Sequence, residues 1–108
     1  MTGTSAWREH RAWLAETIVC DGLLPWAKGF LPSGARLTDQ LRRFHANGCD
    51  HVSLSAAAGS DSTVDAMTRL GLLRRELAEA SDIEIAHDAA CVANAKYAGR
   101  LSVSFHFQ

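Results

Sequence analysis

The chain has 108 residues, 47% of them hydrophobic and 21% charged, with a formal net charge of -1. Those figures give a single domain's worth of foldable chain and exclude a disordered, collagen-like or coiled-coil protein. The charges are spread along the sequence with no basic cluster, so a nucleic-acid partner has no electrostatic footing.

The N-terminal segment Met1-Thr-Gly-Thr-Ser-Ala-Trp-Arg-Glu-His lacks the apolar core of a secretory signal. Ser5 to Glu16 predicts a helix with Trp7, His10, Trp13 and Leu14 on one side. Thr17 to Gly22 predicts a strand of β-branched residues closed by Asp21 and broken by Gly22. Leu24 to Gly34 reads as a loop that holds both prolines, Pro25 and Pro32, and the aromatics Trp26 and Phe30. The most apolar stretch, Thr17 to Leu31, is interrupted by Asp21, Pro25 and Lys28 and falls short of the roughly 20 apolar residues of a membrane span.

Leu37, Leu41 and Phe44 mark an amphipathic helix from Leu37 to Ala46, which Asn47-Gly48 stops. His51-Val-Ser-Leu-Ser-Ala alternates polar and apolar and predicts a strand. Ala58 to Ser62 is a loop that ends in helix-capping residues. Val64, Met67, Leu70, Leu73 and Leu77 then mark a helix to about Ala80, with Arg74, Arg75, Glu76 and Glu79 on its solvent face. Ser81 to Ala86 is a short extended piece. Asp88 predicts the N-cap of a helix over Ala89 to Ala98, ended by Gly99. Arg100 to Gln108 alternates again, with Leu101, Val103, Phe105 and Phe107 on one face and Ser102, Ser104, His106 and Gln108 on the other.

Strands separated by helices argue for crossover connections and a parallel sheet. The small polar faces, Ser53/Ser55 and Ser102/Ser104/His106/Gln108, suit the lumen wall of a barrel. The expected fold is therefore α/β, the N-terminal portion of a (β/α)8 TIM-type barrel with parallel strands, amounting to about three β/α units.

The cysteines Cys20, Cys49 and Cys91 are odd in number and show no CxxC spacing, which argues against a disulfide framework or structural zinc and for a reducing, cytoplasmic setting. Phosphate-binding glycine motifs are absent. No GxSxG elbow surrounds Ser53, Ser55 or Ser60. His10, His45, His51, His87 and His106 never reach a metal-ligand spacing on one element. Of these, His106 is the functional candidate, because its strand places it on the polar face near the expected barrel mouth. Asp21, at the end of its predicted strand, admits two readings: a metal or substrate contact at the mouth, or a turn aspartate bonded to local backbone.

Two segments carry a family resemblance. Val19-Cys-Asp-Gly-Leu-Leu-Pro-Trp resembles the first-strand motif of the membrane (renal) dipeptidase family, in which a strand runs into Asp-Gly-His-x-Asp-x-Pro. Ala89-Ala-Cys-Val-Ala-Asn-Ala-Lys-Tyr-Ala-Gly-Arg-Leu-Ser-Val-Ser-Phe-His-Phe-Gln resembles that family's helix, Gly-Lys turn and following strand. The order and length of the elements between them also match. The resemblance implies a (β/α)8 barrel whose zinc pair activates a water to hydrolyse dipeptides, often with a D-residue at the C-terminal position. The metal-ligand positions are degenerate. Leu23-Leu24-Pro25 follow Asp21-Gly22 where the family has His and Asp, and Gln108 falls at the position of the bridging glutamate.

A full barrel takes about 250 residues. The expectation is thus a single partial domain, residues 1–108, truncated inside its last strand and lacking the C-terminal part of the barrel. The resemblance makes the whole a metallo-dipeptidase acting on a small peptide-like substrate, with this segment inactive alone. Two alternatives stand beside it: a non-catalytic barrel relative that binds a small ligand, and a small α/β protein that dimerises through its open sheet. An open three-stranded parallel sheet would expose both its final edge and the face of Leu101, Val103, Phe105 and Phe107.

Overall fold

The computed structural model describes residues 12–25 and 34–107. Most of the predicted first helix, the loop aromatics Trp26 and Phe30, and Gln108 lie outside the described residues. Where the predicted helix is described, it is a 3-10 turn, Ala12–Ala15. The elements that follow are β1 (Cys20–Pro25), α1 (Leu37–Ala46), β2 (His51–Ala57), α2 (Thr63–Ala78), β3 (Ile83–Ile85), α3 (Ala89–Tyr97) and β4 (Leu101–Phe107). All strand pairs are parallel, in the order β1-β2-β4-β3.

Local chemistry sets the helix ends. The Ser62 hydroxyl accepts the Asp65 N–H at 3.1 Å, and the Asp88 carboxylate accepts the Cys91 N–H at 2.8 Å, so both N-termini are capped by side chains. Gly48 (φ 101°) and Gly99 (φ 74°) take the left-handed conformation that ends α1 and α3, where a side chain would be strained.

Among the described residues, the core is a single cluster. Leu37 and Leu41 of α1, Leu73 and Leu77 of α2, Val52 and Leu54 of β2, Ile83 of β3, and Leu101 and Val103 of β4 pack together. Burying each leucine or valine side chain contributes about 1.5–3 kcal/mol. Only the second half of the predicted α2 stripe takes part, since Val64 and Met67 remain exposed.

The structure corrects the sequence reading at three points. First, β1 starts at Cys20, and Gly22 does not break it; the glycine lies where the pairing with β2 slips, between Asp21 and Leu24, which is a usual use of glycine inside a strand. Asp21 is therefore the second residue of β1, not its last. Second, the described residues form four strands, and the first half of β4 is not an edge. The short β3 takes the outer place and pairs with Leu101 to Val103. Third, the apolar face of β4 is covered by the helices, leaving Leu101 and Val103 at 1% and 0% exposure; of the residues expected to be bare, Phe107 alone is exposed, at 61%.

One side chain ties the starts of the strands together. Asp50, just before β2, receives the Val19 N–H at 2.8 Å and the Lys96 ammonium of α3 at 2.8 Å on its Oδ2. Its backbone N–H donates to the Val19 carbonyl at 2.8 Å, and its carbonyl accepts the Ser102 N–H of β4 at 3.1 Å. The Asp50 and Lys96 side chains are only 10% and 19% exposed. By contrast, the Arg42–Asp82 pair from α1 to the loop before β3 is solvated, and such pairs contribute about 0–1 kcal/mol.

Removing one partner of a buried pair leaves the other uncompensated. Asp50→Ala is expected to destabilise the fold by about 3–5 kcal/mol in urea unfolding, and the double variant Asp50→Ala/Lys96→Met by less than Asp50→Ala alone.

Candidate functional site

Two short segments build the site: His51-Val-Ser-Leu-Ser on β2 and Ser102-Val-Ser-Phe-His on β4. They lie in parallel register, with His51 beside Ser102, Ser53 beside Ser104 and Ser55 beside His106. Val52, Leu54, Leu101 and Val103 point into the core beneath the helices. Alternation therefore turns the two histidines and four serines to the opposite face.

The side chains interlock across the strands. His51 Nδ1 lies 2.7 Å from Ser102 Oγ, and its Nε2 lies 2.9 Å from Ser104 Oγ. His106 Nδ1 lies 2.8 Å from Ser53 Oγ, and its Nε2 lies 2.8 Å from Ser55 Oγ. Each imidazole thus spans a pair of serines on the neighbouring strand. The patterns are mirror images, His-x-Ser-x-Ser against Ser-x-Ser-x-His.

The protons of one half are fixed by a backbone carbonyl. Ser102 Oγ lies 3.3 Å from the Asp50 carbonyl, which can only accept. The Ser102 hydroxyl donates to that carbonyl and accepts from His51 Nδ1–H. Nε2 then carries the lone pair and accepts the Ser104 O–H. Burial also pushes the His51 imidazole below its ordinary value, because desolvation penalises the charged ring. Ser102 is fully buried and Ser55 nearly so, whereas both histidines, Ser53 and Ser104 are half-buried.

A second feature shapes the C-terminal end of the sheet. Arg69 of α2 donates to the Ala56 carbonyl at 3.0 Å and pairs with Asp61 at 2.6 Å. Asp61 also accepts the Ala58 N–H at 2.9 Å, so the loop after β2 is held in place. The Arg69 guanidinium keeps the Asp61 carboxyl below the usual carboxylate range.

Of the residues singled out in the sequence, His106 lies on the polar face, in the strip just described. The Asp21 carboxylate accepts the Leu23 N–H at 3.0 Å, a local turn contact near the start of β1. Gln108 lies outside the described residues. His51 was missed. Metal-ligand spacing is a property of one element, and a pairing across strands has no such signature. The mirrored patterns on two predicted strands were the available signal.

The residues described do not fit the zinc pair that the dipeptidase resemblance implies. Both ring nitrogens of His51 and of His106 are engaged by serine hydroxyls. Among the described residues, no three His, Cys, Asp or Glu side chains converge as a metal site would require. A shallow depression of about 420 Å³ lies elsewhere, lined by Leu14, Val19, Arg43, Phe44 and Cys49 among others. It touches no residue of the strip, and burial raises the Cys49 thiol, which makes it a poor nucleophile. Among the described residues, no helix is long and apolar enough to cross a membrane.

The depressed His51 value sets a pH dependence. The unfolded imidazole protonates around its ordinary 6.5, and the folded one only at lower pH, so the unfolded state binds more protons between the two values. The stability that His51 lends is complete above about 6.5 and is lost as pH falls through the depressed value. The carboxylates of Asp61, Asp82 and Asp88, also held low, lose their contribution only further down, below about 3.8. Urea unfolding measured from neutral to acid pH is expected to show two descending steps, and His51→Gln to remove the upper one.

No protein-family model and no curated protein matches the chain. Among solved structures, the chain resembles the crystal structure of an amidohydrolase from Pseudomonas aeruginosa, with a TM-score of 0.68 at 20% sequence identity. The match covers 90% of this chain and 28% of that one, so the chain spans under a third of the length of the protein it resembles. At this identity the likeness is one of fold: a mixed α/β structure with a four-stranded parallel sheet, arranged as in part of an amidohydrolase.

Proposed function

We propose that the chain forms the first strands of an amidohydrolase-type (β/α)8 barrel acting on a small peptide-like substrate, with the strip from His51 to His106 as part of its lumen wall. The polar strip supports this reading. A parallel sheet that is apolar under its helices and lined with imidazoles and hydroxyls on its other face has the two-sided character of a barrel wall near a ligand site. The dipeptidase resemblance supplies the substrate class, a dipeptide, and the setting would be reducing and cytoplasmic. The zinc pair of that family finds no fitting donors among the described residues, so their part is to bind and orient. Ser53 and Ser104 sit side by side and half-buried, and with their hydrogens engaged in the bonds to the two imidazoles their oxygens keep lone pairs that can accept from a peptide N–H.

The test is titration of the purified chain with a dipeptide ending in a D-residue, followed through the imidazole resonances of His51 and His106. Saturable shifts at both, lost in a Ser53→Val/Ser104→Val variant, are expected; resonances that do not move would overturn the reading. Elemental analysis and a dipeptide hydrolysis assay on the same chain are expected to find neither stoichiometric zinc nor turnover.

A second reading rests on a separate observation. Ladder pairing from β3 ends at Val103, so among the described residues the outer edge of β4 from Ser104 to Phe107 has no strand partner. Such an edge invites another strand, either from the rest of a barrel or from a second copy of the chain. Sedimentation of the purified chain as a concentration-dependent dimer would favour the second copy, and a monomer at all concentrations would eliminate it.

A further inference from the structure

The strip contains more than a binding wall. From the inside outward runs a single line of hydrogen bonds: the Asp50 carbonyl, the Ser102 hydroxyl at 3.3 Å, His51 Nδ1 at 2.7 Å from Ser102, and Ser104 Oγ at 2.9 Å from His51 Nε2. The inner end is fully buried, and the outer hydroxyl is half-buried. A hydroxyl within hydrogen-bond reach of an imidazole, with the imidazole oriented by a third group, is the arrangement that activates a serine.

We propose that Ser104 is a metal-independent nucleophile that accepts an acyl group from small oxygen esters, with His51 as its general base and Ser102 as the residue that positions His51. Ser104 Oγ attacks the ester carbonyl carbon while its proton passes to His51 Nε2. The carbon–oxygen bond to the alcohol breaks, and the proton returns from Nε2 to the departing alkoxide. The products are the free alcohol and an acyl ester on Ser104, which water hydrolyses by the same steps, His51 taking the proton of the water. No oxidant, reductant or metal enters the balance.

The tautomer needed for the first step is the one that the Asp50 carbonyl enforces. Burial keeps the ring unprotonated at neutral pH. On β4, His106 shares the strip with His51 and is bonded to Ser53 and Ser55. Cys20 of β1 is in register with His51, Asp50 is paired with Lys96, and Glu84 of β3, in register with Ser102, is paired with Arg100. The backbone N–H groups of β2 and β4 lie in the plane of the sheet, so they do not point at an oxyanion on its face. The Ser53 hydroxyl, beside Ser104, is already bonded to His106 Nδ1. With so little oxyanion stabilisation the substrates are esters with good leaving groups rather than amides.

The experiment treats the purified chain with para-nitrophenyl acetate near neutral pH in the presence of EDTA, which separates this activity from any zinc-dependent hydrolysis. The expected result is a burst of one nitrophenolate per chain and an acetyl group mapped to Ser104 by peptide mass spectrometry. Ser60→Ala, in the exposed loop before α2, should label like the parent, and Ser104→Ala should lose the burst. His51→Gln should slow acetylation by about 100-fold or more. Ser102→Ala should also slow it, and Ser102→Thr, which keeps the hydroxyl, should restore it. In the parent chain, which needs no variant to fold, the rate should rise with pH through a midpoint below the ordinary 6.5 of imidazole. Acetylation spread evenly over other serines or lysines, a folded His51→Gln variant that labels at the parental rate, or a midpoint above 6.5 would each overturn the assignment.

Discussion

The structure depends on Asp50. Its carboxylate holds the residue that leads into β1 and a lysine of α3, while its backbone meets the chain before β1 on one side and the start of β4 on the other. A parallel sheet has no hairpins to bring its strands together, so something non-local must align their beginnings. Here one short acidic side chain does so, buried enough that its ion pair is shielded from water and salt. The same residue supplies the carbonyl that fixes the His51 tautomer. Alignment of the sheet and the protonation pattern of its polar face therefore share a single origin.

The two faces of the sheet solve the problem of burial differently. Under α1 and α2 the strands present leucine and valine, and close packing does the work. On the other face, histidine and serine could not be buried singly without cost, since an unpaired ring nitrogen or hydroxyl in a dry place costs about 1–3 kcal/mol. Pairing each imidazole with two hydroxyls satisfies both ring nitrogens at once. This permits Ser102 and Ser55 to sit out of water on a face with no apolar side chain in its central rows.

What could be read from the sequence was whatever local chemistry decides. The ends of α1 and α3 were legible because Asn47-Gly48, Asp88 and Gly99 act on their own neighbours, and the alternation of β2 and β4 was legible because the pleat enforces it. The start of β1 was not, since Val19 is held by a carboxylate 31 residues away. Nor was the place of β4 inside the sheet, which follows from three-residue β3 pairing beyond it. His106 was found because its strand ends at the expected mouth. His51 was overlooked because its partners, Ser102 and Ser104, lie more than 50 residues along the chain. Asp21 illustrates the limit from the other side: a shift of a few residues in the strand boundary moves it from one end of the strand to the other.

The mirrored strip also bears on how β2 finds β4. A slip of one residue between the strands would turn leucine and valine away from the helices, and the hydrophobic core forbids it. A slip of two keeps every side chain on its proper face, so the core cannot penalise it by orientation. In that slipped pairing His51 would stand level with Ser104, its ring would reach toward His106 in place of Ser102, and Ser102 would lose its imidazole. The complementary order of histidine and serine on the two strands thus acts as a key that admits one alignment, distinguishing the native pairing from the nearest competitor that hydrophobicity alone would accept.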